Sequence, residues 1–143
     1  MAMTIASLGY GIGAIAAYAV IGLVLMLAGF YVIDWTTPGK LSQLVREGRP
    51  NAAVVTASGL FSLAFIVVVA IYYSPAKLSD GLLTSLVFGL VGIVAQVLVM
   101  RVFEFAMRMD IGAMLAAEKF TPASIVVAAA NVALGLVVAV AVS

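Results

Sequence analysis

The sequence predicts an all-α protein: a four-helix transmembrane bundle made of two parallel two-helix repeats. Three observations predict it. Four apolar runs, at about 9–33, 52–73, 82–100 and 123–142, each approach the roughly 20 residues that cross about 30 Å of hydrocarbon as a helix. None of the four carries a broad polar face, so lipid or sister helices must surround them. Six of the seven Lys and Arg residues fall on one side of the membrane that those runs imply.

Composition narrows the class. With 66% hydrophobic and 9% charged residues and a mean hydropathy of +1.29, the 143-residue chain lacks the side chains to build the polar shell of a soluble domain. One membrane domain over 1–143 is expected, with repeat one at about 9–73 and repeat two at about 82–142. A net charge of +1 without a basic run gives no footing to nucleic acid. Cys and His are both absent, which excludes disulfides, thiolate metal sites, imidazole-ligated haem or zinc, and Cys or His catalysis. No catalytic residue, metal or cofactor is expected, since a Ser/His/Asp set is impossible and no glycine-rich phosphate loop is present.

The elements follow in order. No Lys or Arg precedes the first run, which is too long for the apolar region of a signal peptide and has no A-x-A-like site after it; it is expected to remain as a span. Gly9, Gly13 and Ala17 give that span a small-residue face suited to close helix packing. Thr37-Pro38 is expected to open a short helix in the first loop, ended by Gly48 and Pro50. Ser79 or Asp80 is placed to cap the third span, and Thr121-Pro122 reads as N-cap and first helical position of the fourth. Proline interrupts none of the spans, so continuous helices are expected. Each half contains an amphipathic stretch between its spans: Leu41, Leu44 and Val45 in one, Ile111, Met114 and Leu115 in the other, both at i, i+3, i+4. Such stretches lie along a membrane surface or cap the bundle.

Lys40, Arg46 and Arg49 occupy the first loop, Arg101, Arg108 and Lys119 the third, and only Lys77 the second. The positive-inside rule then puts the first and third loops in the cytoplasm and both termini outside a bacterial inner membrane. Tyr10, Tyr31, Trp35, Tyr72 and Tyr73 fall near span ends, where amphipathic rings sit at headgroup level.

Few residues are candidates for a site. Arg101, Glu104 and Arg108 share a helix face at i, i+3, i+7, and Asp34 ends the first span at the same level as a natural partner for either arginine. The four are read as a helix-end ion-pair network; an anion or headgroup site and the inner mouth of a pore are the functional alternatives. Gln96 and Asn131 lie at membrane depth and are expected to bond between helices, in one chain or between copies, with pore lining in an oligomer as the alternative. No Asp, Glu, Lys or Arg is mid-span, which argues against an ion-coupled pump.

Asp34-Trp-Thr-Thr-Pro-Gly39, with Pro38 and Gly39 at its end, is followed by a charged short helix and then Asn51-Ala-Ala at the start of the second span. In these residues, and in its length, four spans and tandem two-span repeat, the chain resembles the YjfL-like bacterial inner-membrane proteins, the domain of unknown function 350 family. The resemblance implies a membrane protein without settled activity and partners among soluble membrane-associated stress or remodelling proteins. One departure stands out: the family's second repeat carries an Asn-Ala pair like Asn51-Ala52, where this chain has Thr121-Pro122-Ala123.

Taken together, the expected function is that of a non-enzymatic, self-associating anchor or scaffold in contact with membrane lipids. Lys40, Arg46, Arg49 and Lys119 would meet anionic headgroups or a soluble cytoplasmic partner. The alternative is a homo-oligomeric channel or small transporter with Gln96 and Asn131 along its path.

Overall fold

The computed structural model describes residues 4–37 and 39–143. They form six α-helices: α1 Ile5–Thr36, α2 Leu41–Arg46, α3 Pro50–Tyr72, α4 Leu78–Met107, α5 Ile111–Ala116 and α6 Ala123–Val142. α1, α3, α4 and α6 are each long and apolar enough to cross a membrane. The order is long, short, long in the first half, and the same again in the second.

α3 is the central helix. It packs on α1, α4 and α6, and buries the polar side chains of Asn51, Ser58 and Ser62 along with its apolar face. α4 also packs on α1 and α6, so α1 and α6 flank the α3–α4 pair. The buried face of α6, Ser124, Val127, Asn131, Gly135 and Val138, recurs every three to four residues and makes its most extensive contact with α3. Gly135 permits this approach. A Cβ there would lie 2.8 Å from the Ser62 Cα and 2.7 Å from its Cβ, so any larger residue would push the helices apart.

Helix ends depart from the sequence expectation in instructive ways. α1 begins before its apolar run because Thr4 and Ser7 cap it reciprocally: the Thr4 hydroxyl accepts from the Ser7 N–H at 3.1 Å, and the Ser7 hydroxyl accepts from the Thr4 N–H at 2.9 Å. Thr37 closes α1 instead of opening α2, whose N-cap is Lys40. Gly48, at φ +79°, ends the α2 turn, and Pro50 starts α3 as its first residue. Neither Ser79 nor Asp80 caps α4; its N-cap is Lys77, and Asp80 lies in the first turn. The N-cap of α6 is Pro122, one residue later than expected.

The short helices close the end of the bundle that carries the first and third loops. Leu41, Ile111, Met114 and Leu115 are buried against the core, Leu44 packs on it, and Val45 stays exposed. α2 packs on α3 and α5, and α5 on α3 and α6. At the opposite end, α1 overshoots. Tyr18 reaches the α3–α4 loop, its hydroxyl 3.3 Å from the Ser74 hydroxyl, and no described residue N-terminal of it is buried. Gly9 and Gly13, expected to mediate packing, have open space around them.

Candidate functional site: two polar layers and a corner pocket

Four polar side chains at membrane depth converge on one layer. Asn131 of α6 donates through Nδ2 to the Ser58 hydroxyl of α3 at 3.0 Å, and Ser58 in turn donates to the Val55 carbonyl at 2.6 Å. The Asn131 backbone carbonyl receives Gln96 Nε2 of α4 at 3.1 Å. The Ser62 hydroxyl is 2.5 Å from that carbonyl and 2.9 Å from the Ser58 carbonyl, so its single proton chooses between them. Gln96, Asn131, Ser58 and Ser62 are all buried inside one chain. Three helices are thus joined by hydrogen bonds in a medium that offers no water as an alternative. The sequence identified Gln96 and Asn131 but missed the two serines, which an isolated hydropathy profile treats as tolerated small residues. Their spacing of four, on the same face as Gly59, was the available signal.

A second layer binds the short-helix end together. Asn51 is fully buried at the start of α3. Its Nδ2 donates to the Met114 carbonyl at 2.9 Å and the Lys119 carbonyl at 3.1 Å, and its Oδ1 accepts the Thr121 N–H at 2.8 Å. A single side chain therefore ties α3 to the α5–α6 connection. Thr121 contributes its hydroxyl as a further partner 3.4 Å from Asn51 Nδ2. Arg49 adds ion pairs to Glu118 at 3.3 Å and to Glu47 at 3.7 Å. Both acids are exposed and the second pair is too long for a hydrogen bond, so these contribute little.

The expected four-residue charge network divides. Arg101 and Glu104 pair at 2.6 Å, with side chains 23% and 12% exposed. Arg101 then turns away from Asp34 and caps α1. Its Nη2 donates to Thr37 Oγ1 at 2.6 Å, Thr36 Oγ1 at 3.0 Å and the Ile33 carbonyl at 3.3 Å, and its Nε reaches Thr36 Oγ1 at 3.2 Å. The last carbonyls of a helix lack intrahelical partners and carry the negative end of its dipole, so a guanidinium there is doubly favourable. With its donors consumed in this way, Arg101 has little left for an anion. Arg108 is exposed and ends α4 in the left-handed region at φ 54°, and no ion pair joins it to another described residue.

Asp34 lies elsewhere. Its Oδ2 accepts from the Ser42 hydroxyl of α2 at 3.3 Å, while Oδ1 is buried without a partner. A pocket of about 370 Å³ opens beside it, lined by Tyr31, Asp34, Trp35, Thr37, Gly39 and Lys40. Gly39, at φ +81°, makes the turn that sets Lys40 across from α1. Pro38, the remaining residue of the loop motif, lies outside the described residues. Lys40, Arg46 and Lys119 are exposed, whereas Arg49 is partly buried in its ion pairs. Among the described residues no group of acidic side chains could hold a metal ion.

Comparison with known proteins agrees with this architecture. A UPF0719 transmembrane protein of Mycolicibacterium paratuberculosis is 34% identical over 127 residues, covering 88% of this chain and 84% of the relative. A UPF0719 transmembrane protein of Mycobacterium bovis is 37% identical over 81 residues, 56% of this chain and 53% of that one. No solved structure matches. The family described as Domain of Unknown Function (DUF350) matches residues 7–142, and the chain, a multi-pass bacterial membrane protein, belongs to that family.

Proposed function

We propose that the protein is a non-enzymatic, self-associating membrane anchor or scaffold of the bacterial inner membrane, formed from two tandem span–short helix–span repeats. Its short-helix end faces the cytoplasm and both termini face outside. The observation that carries this reading is the use of the membrane-depth polar groups. Gln96, Asn131, Ser58 and Ser62 bond to one another or to backbone within a single chain, so they serve cohesion. The alternative, a channel between copies lined by Gln96 and Asn131, needs those amides on an outer surface, and both are buried. The basic end supports a docking role: Lys40, Arg46 and Lys119 stand exposed at the end of the bundle that α2 and α5 close. Self-association is supported by α1, whose 32 residues span about 48 Å, well beyond the hydrocarbon thickness, with an N-terminal third in which no residue is buried.

The test is reconstitution of the full chain into liposomes with an ion-flux readout. Flux no greater than in protein-free vesicles is expected. Flux that disappears on Gln96→Leu with assembly intact would replace the scaffold by the channel.

A further inference from the structure

The corner after α1 holds an unfinished hydrogen-bonding arrangement. Asp34 Oδ1 is shielded from solvent and receives no hydrogen bond, although an ionised carboxylate oxygen accepts two. Leaving such an atom bare is costly; Ser42 engages only the other oxygen, Oδ2, and no described residue, the pocket-lining Lys40 included, bonds to Oδ1. Asp34 itself lines the pocket, so a small rotation of its carboxyl group would present Oδ1 to a donor seated there. Two aromatic side chains, Tyr31 and Trp35, line it and are otherwise largely exposed, and aromatic faces beside a carboxylate form a favourable enclosure for an ammonium group. Lys40 lines the same pocket, so its charged residues are one acid and one base. A simple cation would be repelled by Lys40, and a simple anion by Asp34. A zwitterion with an ammonium and a phosphate a few bonds apart satisfies both. The pocket also sits where α1 ends, flanked by the Trp and Tyr that favour the headgroup zone.

We propose that this corner is a binding site for the headgroup of a zwitterionic aminophospholipid of the phosphatidylethanolamine type, its primary ammonium donating to Asp34 Oδ1 and its phosphate meeting Lys40. The inference goes beyond the scaffold reading and stands whether or not the protein scaffolds anything. It carries a selectivity: a primary ammonium has N–H groups to donate to Oδ1, and a trimethylammonium has none. Phosphatidylcholine is therefore the wrong ligand despite equal charge.

Trp35 is the single tryptophan of the chain, so its emission reports on the pocket directly. The full chain in detergent is titrated with phosphatidylethanolamine, phosphatidylcholine and, as the soluble source of the same chemistry, glycerophosphoethanolamine. A saturable emission change with phosphatidylethanolamine, at concentrations where phosphatidylcholine gives none, is expected. Asp34→Asn should weaken it roughly ten- to hundredfold, the range for losing one hydrogen bond between charged groups. Lys40→Gln, at an exposed position that leaves the fold untouched, should weaken it too. Equal responses to the two lipids, or no change in either variant, would overturn the site. Glycerophosphoethanolamine binding as tightly as the lipid would overturn the membrane origin of the ligand.

Discussion

The layer around Asn131 and the corner around Asp34 both put polar atoms out of reach of water, yet they treat them differently. In the layer, donors and acceptors from α3, α4 and α6 meet within one chain, and Gln96 Oε1 is the atom left over. At the corner, a charged oxygen is left over beside an open pocket. The leftover amide oxygen is neutral and enclosed, so it costs cohesion and offers nothing to a ligand. The leftover carboxylate oxygen belongs to a side chain that lines an open pocket. The contrast separates polar residues that hold this bundle together from those available to something else, a distinction that residue type and depth alone do not make.

The Arg101 cap is the strongest test of the cohesive side. Arg101→Ala leaves Glu104 without its partner and strips the end of α1, and roughly 2–3 kcal/mol of stability should be lost, less than for a fully buried pair because the guanidinium is partly solvated. Thermal unfolding in detergent reads this; a melting temperature equal to wild type would mean that α1 needs no cap. Gln96→Leu should cost less, about 0.5 kcal/mol, since it removes one interhelical hydrogen bond and an unsatisfied oxygen together. A loss of several kcal/mol there would show that the layer works as one cooperative network. Smallest of all, Arg108→Ala should stay within about 0.5 kcal/mol, because the side chain is exposed and unpaired among the described residues. A larger fall would restore Arg108 to the network that its spacing suggested.

The fold was largely legible in the chain. Run length and apolarity defined the four spans, and the last matched at 123–142. The charge pairing was legible only within a helix. Arg101 and Glu104, three residues apart on α4, do meet, whereas Asp34 and Arg101 reach the same level on different helices and turn to other partners. Sequence spacing fixes which residues share a helix face but carries no record of how neighbouring helices are rotated. The caps show the same limit. Thr37 precedes a proline and looked like a start, but both its backbone N–H, at 3.0 Å, and its hydroxyl, at 2.6 Å, donate back to the Ile33 carbonyl four residues earlier and so end α1. The importance of Asn51 was visible in the family motif. Its bonds to Met114 and Lys119, more than 60 residues away, were not.

The contrast between closed layer and open corner can be measured directly, because the chain has no cysteine of its own. Ser62→Cys and Ser42→Cys are near-isosteric replacements in the two regions, and both can be exposed to a membrane-impermeant maleimide in nanodiscs. Rapid labelling at 42 and protection at 62 is the expected result. Labelling at 62 as fast as at 42 would mean that water reaches the Asn131 layer, and the cohesive role assigned to it would fail.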